Sequence, residues 1–244
     1  MHAAPSFRHA VRLLAALIVV AATFGVPMHG AVAAEAKPLK IGIIGTGRIG
    51  GALATHWAKA GHELVISSRH PEELQALAKS LGPKVRAATP QEAAAFGEVI
   101  LLSVPYAATP QIGKDYAKEL KGKVVIDTGN PYPQRDGAMA EDARKRGTGV
   151  TSAEYLRGAR LVRAFNAIAE MNLKNQGNHK PERYAIPLAA DDASALAVAQ
   201  RLVNDAGFDA VIVGGLGRAK DFDFGTPAYG KLGTAAELKK LFGL

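Results

Sequence analysis

The tightest constraint on this chain is one six-residue turn. Gly45-Thr46-Gly47-Arg48-Ile49-Gly50 fits the pattern G-x-G-x-x-G, between an apolar run, Leu39 to Ile44, and a stretch of helical period from about Ile49 to Ala60 that stops at Gly61. Each glycine there has a separate physical task. Gly45 makes the tight turn, Gly47 lets a pyrophosphate approach the backbone, and Gly50 lets the helix pack closely on the sheet. The start of the helix adds unpaired N–H groups suited to phosphate oxygens. In that context the motif points to dinucleotide binding, the alternative being a Gly-rich turn that holds no ligand.

The same strand-and-helix unit recurs along the chain. Glu63 to Ser67 reads as a second strand, leading to a helix with Pro71 in its first turn and Glu72 and Glu73 behind it, ending near Gly82. Val85 to Ala88 is a third strand, and Thr89-Pro90-Gln91-Glu92 is a capping box that starts another helix. Val99 to Val104, Lys123 to Asp127 and Leu161 to Phe165 are further strands, with a helix start expected at Thr151-Ser152-Ala153-Glu154 between the last two. Aliphatic strands alternating with helices predict an α/β fold: a Rossmann-type, doubly wound parallel sheet covered on both faces. The expected organisation is a leader over 1–34, a nucleotide-binding domain over 35–168 and a small C-terminal α+β lobe over 169–244.

The leader is set apart by composition. Arg8 and Arg12 precede the apolar run Leu13 to Val26, and small residues come next at Ala31-Val32-Ala33-Ala34, the pattern of a cleaved secretory signal peptide. The run is shorter than the roughly 20 residues that span a bilayer. Export to the periplasm or medium is the expectation, with a cytoplasmic location if Met28 is the true start and an uncleaved anchor as the other alternative. Without the leader the chain keeps 28 Lys and Arg against 22 Asp and Glu, a mild excess that suits an anionic ligand. No basic block interleaved with aromatics supports nucleic-acid binding. Cysteine is absent, which excludes disulfides and thiolate-bound metals.

The type of dinucleotide is read at the end of the second strand. An NAD-selective fold places an acid there for the ribose 2′-hydroxyl; this chain has Ser67-Ser68-Arg69-His70. A hydroxyl donor and a planar cation with no acid to repel a phosphate favour NADP.

Taken in order, IGIIGTGRIGGALA, AGHELVISSRHPEEL, LLSVPY, VVIDTGNPY, RAFNAI and AGFDAVIVGGLGRAKDF resemble the NADP-dependent reductases of the deazaflavin coenzyme F420 and their bacterial relatives, over most of residues 39–230. The resemblance implies hydride exchange between NADPH and a ring held by the C-terminal lobe, the acceptor being a deazaflavin, a flavin or another small redox compound. It also implicates Thr46 to Ile49, Ser68, Arg69, Ser103, Val104, Pro105, Asn166 and Ala167, with Leu216 as a weaker candidate. Where some members carry a basic residue beyond the Ser-Arg pair, this chain has Glu72 and Glu73.

Hydride chemistry belongs to the cofactor, so no acid or base is obligatory. Asn130 and Asn166 fall at strand ends where a ligand would lie and are candidates for orienting it, or else turn and packing residues. The histidines lack metal-ligand spacing, and Asp191-Asp192 reads as a helix cap. The alternative function is a non-catalytic NADP-binding or sensing module. An apolar patch on the C-terminal helix, Ala235 to Phe242, could serve a homodimer.

Overall fold

The computed structural model describes residues 37–244. The leader expected over 1–34 lies outside them. Strand β1 (Lys40–Ile44) leads through the Gly-rich turn into α1 (Arg48–Lys59), succeeded by β2 (Glu63–Ser67), a 3₁₀ turn (Pro71–Leu74), α2 (Gln75–Leu81), β3 (Val85–Ala88), α3 (Pro90–Phe96) and β4 (Val99–Leu102). Helices α4 (Thr109–Asp115) and α5 (Ala117–Leu120) precede β5 (Val124–Asp127), and α6 (Pro133–Asp136), α7 (Ala138–Arg146) and α8 (Thr148–Tyr155) precede β6 (Arg160–Arg163). The chain then forms α9 (Glu170–Asn175), β7 (Ala185–Ala189), α10 (Ala193–Asp205), β8 (Asp209–Gly214), a 3₁₀ segment (Leu216–Phe222) and α11 (Ala235–Phe242).

The strands form one sheet in the order β3-β2-β1-β4-β5-β6-β7-β8. Strands β1 to β6 are parallel, as the alternation of strands and helices demands. Strand order reverses between β1 and β4, so a crevice opens at their carboxyl ends. The C-terminal residues are joined differently. Only Arg163 and Ala189, the last residues of β6 and β7, pair, and they do so antiparallel, while β7 and β8 run parallel to each other. Residues 169–244 thus carry strands and helices of their own, with a local core that includes Val211, Val213, Ala219, Phe222, Leu238 and Phe242.

Three expectations need correction. Thr151 does not open a helix; α8 begins at Thr148, after Gly147 at φ +95°, and Thr151 is buried inside it. Its hydroxyl bonds the Gly147 carbonyl at 3.1 Å and meets the Tyr106 hydroxyl at 2.6 Å. The cap comes from far along the chain, because Asp223 accepts from the Thr148 N–H at 3.0 Å. The strands expected to reach Val104 and Phe165 stop at Leu102 and Arg163, and Phe165 takes a left-handed φ of +59°. The apolar face of α11 is not an exposed patch: Leu238 and Phe242 are buried within the chain, and the apolar residues of the helix that face outward are Ala236 and Leu241, with Leu244 just beyond it. A helix beside an outermost strand covers it with its own apolar stripe.

Candidate nucleotide-binding site

The Gly-rich turn is built as its residue types require. Gly45 has φ +95°, and a Cβ there would lie 2.3 Å from the Ser103 carbonyl oxygen. At Gly50 a Cβ would lie 2.1 Å from the Gly45 carbonyl oxygen, so α1 packs onto the turn only with glycine. Gly47 differs: a Cβ there would meet nothing within 4 Å and would project from an exposed position. Bonds from the Gly45 and Thr46 N–H groups and the Thr46 hydroxyl to the Ser67 carbonyl, at 3.0–3.2 Å, fasten the turn to the end of β2. The first N–H of α1 used within the helix is that of Gly51, bonded to the Gly47 carbonyl at 2.8 Å. No side chain caps α1 and no acid lies in its first turn, which leaves its N-terminal N–H groups and the positive end of its dipole for an anion.

A cleft of about 540 Å³ lies against this turn. It brings together Gly45, Thr46, Gly47, Ser68, Arg69, Ser103, Val104 and Pro105 from the ends of β1, β2 and β4. Ile44 adds the last residue of β1, and Pro90, Ala108, Gln111, Ile112 and Tyr116 complete the walls. Motif reading does not find these five, because they carry no pattern and reach the cleft only through the packing of α3 and of α4 with the residues that flank it. No carboxylate lines the cleft. Arg69 is exposed and has no carboxylate partner among the described residues. The Ser68 oxygen accepts from the His70 N–H at 3.0 Å, so its hydroxyl proton remains available. Glu72, where a cation would have suited a phosphate, is turned onto His70 at 3.2 Å.

The remaining candidates sit elsewhere. Gly50 is buried under the turn and Ile49 is half-buried. Arg48 lines a separate depression with Thr55, His56 and Lys174. Leu216 is a buried residue whose N–H bonds Asp191 at 2.8 Å. Asp192 caps α10, as its position suggests. The histidines are structural in their contacts: His56 bonds the Leu173 carbonyl, His62 bonds Leu39 and Asp205, and His179 stacks on Tyr184.

Asn130, Asn166 and Ala167 come together beyond the ends of β5 and β6, outside the lining of the cleft. The Asn130 amide donates to the Asn166 carbonyl at 2.8 Å, and the Asn166 amide donates to the Phe222 carbonyl at 3.1 Å. Both side-chain amide oxygens are buried and have no hydrogen-bond partner, an arrangement that costs about 1–3 kcal/mol for each group. Beside them the Tyr132 and Tyr229 hydroxyls meet at 2.6 Å, with Phe224 packed edge-on against both rings. Burial, and after it the Tyr132 hydroxyl, pushes the Tyr229 phenol above its usual range. Beneath this end of the sheet, burial pushes the Tyr106 phenol up to about 12. Arg163 is fully buried between Asp127 at 2.8 Å and Asp223 at 3.4 Å. Burial alone would lower its pKa, but the two carboxylates outweigh that and raise it.

These residues fit NADP. Gly47 leaves space where the pyrophosphate would approach, the α1 terminus supplies donors, and Arg69 with Ser68 supplies a cation and a hydroxyl for a 2′-phosphate. Fold and cleft together define a dinucleotide-binding protein of the Rossmann type. Residues 40–131 match the model of a family described as NADP oxidoreductase, coenzyme F420-dependent. The F420-dependent NADP reductase of Methanothermobacter thermautotrophicus is 31% identical over 203 residues, an overlap that covers 78% of this chain and 87% of that protein. The chain belongs to this family. Among solved structures, the hypothetical protein SMa0349 from Sinorhizobium meliloti superposes with a TM-score of 0.71 at 25% identity, over 81% of this chain and 96% of that one. An imine reductase from Myxococcus stipitatus, solved in complex with NADP+, shares the fold with a TM-score of 0.54 at 19% identity, over 84% of this chain and 60% of that one.

Proposed function

We propose that the protein is an NADP(H)-dependent oxidoreductase that passes hydride between NADPH and a deazaflavin. The observation that carries this reading is the cleft itself, in which a Gly-rich turn, an uncommitted Arg69 and Ser103 to Pro105 converge without a carboxylate. Family membership supports the reaction class. Bound NADPH would supply the hydride, and the protein supplies binding, orientation and exclusion of water. N–H groups of the α1 terminus hold the pyrophosphate, while Ser68 and Arg69 hold the 2′-phosphate and Ser103, Val104 and Pro105 pack against the nucleotide. Asn130, Asn166 and Ala167 orient the nicotinamide end. Support for that role comes from the two unpartnered amide oxygens, which call for N–H donors.

Residues 35–168 form the nucleotide-binding part of this assignment and residues 169–244 the acceptor side. The acceptor is a small molecule. Export with cleavage of the leader rests on the composition of residues 1–34 alone, and N-terminal sequencing of the protein from its host tests it. The reaction is tested by mixing the purified protein anaerobically with NADPH and a deazaflavin and monitoring loss of NADPH absorbance. No oxidation by a deazaflavin, a flavin or a quinone would overturn the reading in favour of a non-catalytic module.

A further inference from the structure

The turn after β6 is held in a conformation that its own sequence does not favour. Phe165, a bulky residue, has φ +59°, a strained conformation that persists only where the surroundings enforce it. Phe165 is buried with its ring edge-on to Trp57, and the two residues after it are tied to the segment from Phe222 onward. The Phe222 carbonyl accepts from the Asn166 amide at 3.1 Å, and the Gly230 N–H donates to the Ala167 carbonyl at 2.7 Å. Residues 222–230 therefore clasp Asn166 by its side-chain amide and Ala167 by its carbonyl.

One side chain anchors that clasp. Asp223 is buried, and its carboxylate accepts from the Thr148 N–H at 3.0 Å, from the Thr148 hydroxyl and from Arg163 at 3.4 Å. It joins the start of α8 and the end of β6 to the segment adjoining Phe222. Arg163 is held in turn by the Asp127 carboxylate at 2.8 Å and the Asp127 carbonyl at 3.1 Å. Three elements distant in sequence thus fix the place of residues 222–230, and these fix Asn166 and Ala167.

We propose that Asp223 is a positioning residue for the nicotinamide end of the site: it touches neither cofactor nor acceptor, and sets the place of Asn166 and Ala167 through the Phe222 carbonyl and the Gly230 N–H. This rests on the assignment of NADP to the cleft. Asp223→Asn keeps the size and one of the two oxygens that accept from Thr148, and removes one of the two carboxylates that flank Arg163.

The test is calorimetric and needs no turnover. Adenosine 2′,5′-bisphosphate probes the half of the cofactor assigned to the Gly-rich turn and Arg69, whereas NADPH probes both halves. In the full-length protein Asp223→Asn is expected to leave bisphosphate affinity within twofold and to weaken NADPH at least fivefold. Should that variant fail to fold, Thr148→Val decides, with a smaller loss of the same kind that Thr148→Ser does not show. A loss of bisphosphate affinity equal to the loss for NADPH, no loss for either ligand, or wild type that binds NADPH no tighter than the bisphosphate would overturn the proposal and leave the cofactor reading standing. Wild type that binds neither ligand would overturn both.

Discussion

Gly47 and Gly50 stand three residues apart in one turn, yet adding a single methyl group to each has opposite consequences. At Gly50 the new Cβ would lie 2.1 Å from the Gly45 carbonyl oxygen and 3.4 Å from Ile43. Backbone must shift, because no flexible side chain is there to yield. Overpacking of this kind costs about 1–3 kcal/mol, and each kcal/mol lowers Tm by about 2–4 °C in a domain of this size. At Gly47 the Cβ would meet nothing within 4 Å, and φ is −82°, a value any residue accepts. Stability should therefore stay within about 0.5 kcal/mol of wild type. Nucleotide binding is where Gly47→Ala should fail, since the methyl group occupies the space through which the pyrophosphate meets the backbone. A tenfold weakening, about 1.4 kcal/mol, is the minimum expected. Thermal denaturation without ligand and calorimetric titration with NADPH on both variants separate the two effects. Gly47→Ala binding NADPH as well as wild type, or Gly50→Ala melting with wild type, would refute the roles assigned to the turn.

Two other changes probe the scaffold. Tyr106→Phe removes a buried hydroxyl that meets Thr151 at 2.6 Å; a loss of about 1 kcal/mol is expected, read by chemical denaturation, with NADPH affinity unchanged. His62 is buried, and burial lowers its pKa against the pull of Asp205. Its unfolded value is near 6.5, so the unfolded state takes up the proton first. The stability His62 contributes is complete above that pH and is lost as pH falls below it. Denaturation of wild type and His62→Gln across that window should show a steeper acid loss in wild type, and parallel curves would refute the assignment.

What the sequence discloses and what it hides divide along the range of the interactions. The Gly-rich turn, the Thr89–Glu92 capping box and the Asp192 cap are local, and each is found in the structure where its residues place it. The convergence of Ser68, Arg69 and Ser103 to Pro105 on one cleft comes from the parallel topology, which brings the carboxyl ends of β1, β2 and β4 to one edge. Local pattern misplaces the start of α8 at Thr151 because its capping group, Asp223, lies 75 residues from Thr148 and belongs to no recognisable motif. The left-handed Phe165 is equally silent, since aromatic residues rarely adopt that backbone and the groups packed around it and the residues after it, Trp57 and the clasp from residues 222–230, are distant in sequence. Nor does spacing pair Tyr132 with Tyr229, 97 positions apart. The α11 patch shows a further limit: periodicity marks an apolar face, and only the fold decides whether the chain itself covers it.

Recognition of NADP through its 2′-phosphate is the central claim, and Arg69 tests it most directly. Calorimetric titration of wild type and Arg69→Ala with NADPH and with NADH is the decisive measurement. The expected result is NADPH bound more tightly than NADH by wild type, with the preference reduced at least tenfold in the variant, about 1.4 kcal/mol, and NADH affinity unchanged. Equal affinity for the two nucleotides in wild type, or a preference for NADPH that survives loss of Arg69, would contradict it.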